Sequence, residues 1–196
     1  MKSWKNETAP SSIVLIIMVT YWVRIIIDFK PLTPRICILR MRGKFFINYS
    51  IVNGHASTET SDNEEKDGFF DALERTYDIS PRNYTKIVIG DFNAQVGKEA
   101  VNFHMTGKYS LHSLTNDNGS WLIQFAVLWN MIIQSKFYPY KDLQKCTWRS
   151  LDGVTFSQID HLLIERRHKS NLRDVSSYQG ASTDSNHCLV IACLRA

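Results

Sequence analysis

Apolar residues in this chain come mostly in short runs rich in β-branched side chains, and two stretches carry a helical period. The runs predict strands over residues 13–19, 21–27, 35–41, 44–52, 86–89, 131–134, 145–149, 158–164, 172–176 and 187–194. Arg42-Gly43 separates two of them by the length of a tight turn, which predicts a β-hairpin, and Asp152-Gly153 marks another turn. Ser61 and Glu64 have capping-box spacing and open a helix whose Phe69, Phe70, Leu73 and Tyr77 share one face. Glu64, Glu65, Lys66, Asp67 and Glu74 fall mainly on the other face, and the acids among them read as solvated surface. A second helix starts near Asn118, within the capping-prone Asn116-Asp117-Asn118, and turns Leu122, Phe125, Ala126 and Trp129 inward. Helices interspersed among many strands predict an α/β sandwich, with two packed mixed sheets and the helices outside.

The N-terminus is the awkward segment. Residues 1–10 are polar with Lys2 and Lys5, and residues 13–23 are almost wholly apolar before Arg24 interrupts them. A membrane span needs about 20 apolar residues, and no small-x-small cleavage pattern follows the run. Ile, Val, Thr, Tyr and Trp dominate here, which is strand chemistry, so no stable membrane insertion is expected. Residues 1–24 form an atypical apolar segment ahead of a single domain over 25–196.

Composition narrows the picture only slightly. With 44% hydrophobic and 21% charged residues, the 196-residue chain has globular values, which excludes disordered and fibrous classes. Its net charge of +4 is compatible with a phosphate-rich partner but is no basic stripe. Cys37, Cys146, Cys188 and Cys193 lack paired metal spacing and read as reduced small hydrophobes of an intracellular protein, nuclear or cytoplasmic. Asn-x-Ser/Thr matches at Asn6, Asn48, Asn83 and Asn118 carry meaning only in a secreted chain.

Chemistry concentrates in residues 86–97, KIVIGDFNAQVG. An apolar run stops at Gly90, and Asp91 and Asn93 follow two residues apart, where strand alternation lets both side chains point one way. A bare Asp-x-Asn is more often a turn bonding its own backbone. Two further polar clusters beside apolar runs change that balance: Asp160-His161 before Leu162-Leu163-Ile164, and Asp184-Ser185-Asn186-His187 before Cys188-Leu189-Val190. Their order resembles the endonuclease/exonuclease/phosphatase superfamily, most closely the endonucleases of non-LTR retrotransposons and the craniofacial development protein 2-like proteins. The resemblance extends over residues 25–196 and includes Asp28-Phe29-Lys30-Pro31, Thr115-Asn116-Asp117-Asn118-Gly119 and Thr147-Trp148-Arg149-Ser150.

The resemblance implies a four-layer sandwich and hydrolysis of DNA phosphodiesters with Mg²⁺ or Mn²⁺. It implies that Asp91 orients or deprotonates the water, that Asn93 bonds the phosphate, and that His187 stands near the scissile phosphorus, held by Asp160. His55 falls at a strand end where the family carries His or Tyr, although Gly54 and Ser57 depart from the pattern. The C-terminal motif is expected to be Ser-Asp-His, yet this chain reads Ser185-Asn186-His187, leaving Asn186 and Asp184 as metal-binding candidates. The family's first two motifs, ending in an asparagine and a metal-binding glutamate, have no counterpart, so the chain reads as N-terminally truncated and its cation as weakly held or lost. Two functions follow from this reading. One is an impaired metal-dependent DNA endonuclease, and the other is a catalytically inactive nucleic-acid- or protein-binding remnant of a retrotransposon endonuclease.

Overall fold

β-branched and leucine runs that each bury two faces must lie side by side, and here they do so in one twisted sheet. The computed structural model describes residues 26–43, 47–99, 103–179 and 185–195. Its strands are β1 (Ile26–Thr33), β2 (Ile36–Arg42), β3 (Asn48–His55), β4 (Thr85–Asp91), β5 (Met131–Ile133), β6 (Trp148–Arg149), β7 (Phe156–Ser157), β8 (Asp160–Glu165), β9 (Leu172–Tyr178) and β10 (Leu189–Leu194). The helices are α1 (Asn63–Asp78), α2 (Phe103–Thr106), α3 (Asp117–Leu128) and α4 (Asp142–Lys145). Six strands form the main sheet in the order β1-β2-β3-β4-β8-β5, while β9 pairs with β10 and β6 with β7. The β3–β4 pair is parallel and the other pairs of the main sheet are antiparallel, so this sheet is mixed.

Strand alternation gives the main sheet two apolar faces. Ile38, Val52, Val88, Leu163 and Ile133 meet Phe69, Phe70, Leu73 and Tyr77 of α1 and Leu122, Phe125 and Ala126 of α3. Leu39, Ile51, Ile87, Leu162 and Ile164 face Leu172 and Val175 of β9, with Val190 of β10 against them. The layers therefore run helices, main sheet, small sheet, which is the α/β sandwich expected from the sequence. Mixed pairing resides in the larger sheet, because the two strands of the smaller one are antiparallel.

Local differences have local causes. The expected tight turn at Arg42-Gly43 does not match the register, which opposes Arg42 to Asn48; the Gly43 N–H donates to the Ile47 carbonyl at 2.7 Å, and the second arm begins at Asn48. A further hairpin turns at Pro34-Arg35, so residues 26–33 form the edge strand among the described residues, and Pro31 is tolerated there. Helix α1 is capped by Asp62, whose side chain accepts from the Glu65 N–H at 2.8 Å, one residue after the expected Ser61. Within the expected capping segment it is Asn116 that caps α3, accepting from the Gly119 N–H. Lys66, expected on the face opposite Phe69 and Leu73, is buried and pairs with Asp117 at 2.7 Å. Residues 145–147 are not strand, since α4 ends there and only Trp148–Arg149 pair with β7. The strands expected over 13–19 and over the first part of 21–27 lie outside the described residues.

The long connection after β4 is held from below by buried polar groups. Lys136, fully buried, donates to the Gly97 carbonyl at 2.6 Å, and its own carbonyl accepts from the Tyr109 N–H. His161 is also buried; its Nε2 donates to the Ala94 carbonyl at 2.8 Å, which leaves Nδ1 to accept from the Ser135 hydroxyl. Burial pushes His161 down to about 4 and so keeps the ring neutral. Burial likewise lowers Lys136 to about 8, with Glu99 pulling the other way. Between about pH 8 and the ordinary lysine value of 10.5, the unfolded chain then holds a proton on Lys136 that the folded chain has released, so this group's penalty shrinks as pH rises. The stability of the parent relative to Lys136→Met should therefore rise between about pH 8 and pH 10. Paired urea unfolding curves across that range check it, and a pH-independent difference would contradict the burial of a charged amine.

Candidate active site

Register brings the chemistry together before any side chain is considered. In the main sheet His55 of β3 lies opposite Asp91 of β4, and Asp91 lies opposite Asp160 of β8. Three functional side chains thus start from neighbouring positions at one edge. Asp91 is pinned from both sides: its carbonyl accepts from the Ala56 N–H at 2.8 Å, and the next N–H, on Phe92, donates to Ile159 at 3.1 Å. Phe92 anchors this crossing by full burial. Gly90 permits it. Its φ is 147°, and a Cβ there would overlap the carbonyl of Gly54 directly opposite. The strand runs through Gly90 to Asp91 instead of stopping at the glycine, and Gly54 is an interior strand position against Phe69 and Phe92, not a loop residue.

His187 arrives from outside the main sheet. It forms an antiparallel bridge with Trp148, flanked by bonds from the Cys188 N–H to the Thr147 carbonyl (2.7 Å) and from the Arg149 N–H to the Asn186 carbonyl (2.9 Å). Its Nδ1 lies 3.2 Å from Asp160 Oδ2, and its Nε2 lies 3.7 Å from Asp91 Oδ2. His55 Nε2 approaches the same Asp91 oxygen at 3.6 Å. The two oxygens of Asp91 divide the labour. Oδ1 accepts from the Asn93 N–H at 3.0 Å, the turn bond a bare Asp-x-Asn would make, while Oδ2 faces the imidazoles.

Asn93 is not reached by strand alternation. It lies past the strand at φ 49°, a left-handed conformation that asparagine tolerates, and its Nδ2 donates to the Ala56 carbonyl at 3.1 Å. Its own carbonyl accepts from Asn116 Nδ2 at 3.0 Å, so the cap of α3 also fixes the loop that carries Asn93.

Charges in the cleft oppose and compensate one another. Burial, and then the neighbouring Asp160 charge, lift the Asp91 carboxyl to about 6, against the Asn93 N–H and His187. The Asp160 hydrogen bond raises His187 above its ordinary value, overcoming burial, and the charges of Asp160 and Asp91 add to it. Burial, Arg35 and His187 hold His55 below its ordinary value, so its ring is the neutral one. Two carboxylates beside an imidazole are also a donor set for a cation. Asp91, Asp160 and His187 each offer one ligand atom, all within 4.8 Å of one another.

The structure therefore gathers His55, Asp91, Asp160 and His187, with Asn93 on the adjoining loop. Asn186 is exposed, and its backbone carbonyl is taken by Arg149. Asp184 lies outside the described residues. Sequence reading missed Thr147, whose hydroxyl accepts from the Ile159 and Asp160 N–H groups at 3.0 and 3.1 Å and so sets the entry of β8. It also missed Arg35, whose guanidinium reaches the Ala56 carbonyl and Glu65. Neither contact has a local signal, because each joins residues distant along the chain.

No protein-family model matches the chain. Craniofacial development protein 2 of Bos taurus is 29% identical over 161 residues, and that of Tragulus javanicus is 30% identical over 161 residues. Each alignment covers 82% of this chain, which spans only 27% and 28% of those relatives. Among solved structures, a 3′ phosphatase from Neisseria bound to a product DNA hairpin superposes with a TM-score of 0.63 at 16% identity, covering 87% of this chain and 72% of that one. The endonuclease domain of TRAS1, a telomere-specific non-LTR retrotransposon, gives 0.59 at 13% identity, covering 86% and 69%. An AP endonuclease from Leishmania major gives 0.60 at 12% identity, covering 83% and 55%. These superpositions establish a shared fold.

Because Asp160 raises both its neighbours, Asp160→Asn in the metal-free protein should lower the pKa of His187 and that of Asp91 together. NMR titration of the His187 ring and the Asp91 carboxyl checks this; a His187 value unmoved by the substitution would show that Asp160 does not hold it.

Proposed function

We propose that the chain, which shares the fold of a 3′ phosphatase, a retrotransposon endonuclease domain and an AP endonuclease, belongs to the endonuclease/exonuclease/phosphatase superfamily, and that its Asp91 cleft is a divalent-metal-dependent phosphodiesterase site, weakened in this chain, with DNA as its substrate class. The convergence of Asp91, Asp160 and His187 within 4.8 Å carries this reading. Hard carboxylate oxygens suit Mg²⁺ or Mn²⁺, and Asp91 and Asp160 are the residues that would hold it, which leaves His187 Nε2 for the phosphate. When bound, the ion supplies positive charge to the non-bridging phosphate oxygens.

The remaining steps belong to side chains. Asp91 Oδ2, open to the cleft, can accept a hydrogen bond from the attacking water and so orient it. Its Oδ1 stays on the Asn93 N–H, so the acceptor oxygen cannot swing away. Asp160 accepts from His187 Nδ1, which fixes the ring and turns Nε2 into the cleft, where in its protonated form it can donate to a phosphate oxygen. Asn93 spends one amide N–H on Ala56 and keeps the rest of its carboxamide for phosphate. His55, neutral beside Asp91, contributes polarity without adding charge.

Asn186 is the reason for expecting weak activity. An amide stands where the superfamily pattern has a carboxylate, and Mg²⁺ relies on one or two carboxylates to offset the loss of its waters. The same neutral side chain favours a second reading, an inactive remnant that keeps the surface and binds nucleic acid or protein.

Supercoiled plasmid incubated with the purified chain should show slow nicking that needs Mg²⁺ or Mn²⁺, and Asp91→Ala or His187→Ala should reduce it by at least ~100-fold. Nicking that survives chelation or Asp91→Ala would refute the site. DNA binding with no nicking at any metal concentration would select the inactive remnant.

A further inference from the structure

Two thiols lie beside the cleft, on the two segments that assemble it. Cys146 is buried and Cys188 half-buried, both are free, and the Cys188 N–H donates at 2.7 Å to the carbonyl of Thr147, the residue next to Cys146. Cys146 Sγ also meets the Trp148 carbonyl at 3.1 Å. Their segments are already stitched at the Trp148–His187 bridge, whose flanking bonds mark the directly opposed pair where antiparallel backbones come closest. Between the cysteines sits Thr147, which accepts from the Cys188 segment through its carbonyl's bond to the Cys188 N–H and from Asp160 through its hydroxyl.

We propose that Cys146 and Cys188 form a reversible disulfide that staples the His187 strand to the segment positioning Asp160. Given a peroxide as oxidant, the Cys188 sulfur attacks one peroxide oxygen, the O–O bond breaks, and a sulfenic acid and water result. The Cys146 sulfur then attacks the Cys188 sulfur, the S–S bond forms, and the departing hydroxide takes the thiol proton as a second water. Two thiols thus lose two electrons and the peroxide gains them. The inference does not depend on the phosphodiesterase reading.

The test uses the whole folded chain, oxidised with hydrogen peroxide under native conditions, alkylated and digested. The expected product is a linked pair of peptides carrying Cys146 and Cys188, reversed by dithiothreitol, retained in Cys193→Ser and absent from Cys188→Ser. Hydrogen exchange at the Cys188 and Arg149 amides should slow by at least ~10-fold in the oxidised protein, since both bonds lie inside the staple. Alkylation of both thiols after native oxidation, linkage to Cys37 or Cys193, linkage only in urea, or unchanged exchange at those amides would each overturn the proposal.

Discussion

Asp91 and Asp160 are opposed residues on adjacent strands, and their like charges cannot be separated without breaking the main sheet. Burial adds to the repulsion, and the Asp91 carboxyl rises accordingly. His187 is the compensation within the protein: it bonds one carboxylate and faces the other, and its own pKa is raised by both. A cation between the carboxylates would do the same more strongly. The fold therefore stores an unfavourable charge arrangement that a bound cation would relieve.

Several features otherwise unremarkable in a sandwich serve this arrangement. Gly90 and Gly54 let two backbones touch so that Asp91 can sit level with His55. Asn116 ties the turn carrying Asn93 to the cap of α3, and His161 and Lys136 hold the following loop from beneath the sheet. These buried polar groups are each satisfied by a carbonyl of that loop, so loosening the loop leaves them without partners. Stability and site geometry are consequently joined: a change at Lys136 or His161 acts on the loop carrying Asn93 without touching the cleft.

How much was legible in the sequence depends on the range of the interaction concerned. The helical faces of α1 and α3, the central strands and the polar ends at Asp91 and Asp160 follow from local pattern, because periodicity encodes burial directly. Turn chemistry was less legible. Arg42-Gly43 offered a two-residue turn, yet the register opposing Arg42 to Asn48 demands a longer loop. Asn93 reached its place through a left-handed turn that alternation does not describe. Lys136 and His161 carried no sign of burial, since a lysine and a histidine inside mixed stretches look solvated until distant carbonyls are brought to them. His55 and the Asp160–His187 pairing were expected through the family resemblance, and the structure supplies the distances that composition could not.

The claim on which the account rests is that this carboxylate pair is built to hold a divalent cation. Titration of the full chain with Mn²⁺, followed by paramagnetic broadening of NMR signals, reads that directly. Saturable broadening centred on Asp91, Asp160 and His187, lost in Asp160→Asn, is the predicted result. Broadening confined to the acidic surface of α1 around Glu64, Asp67 and Asp71, with His187 unaffected at millimolar Mn²⁺, would contradict it.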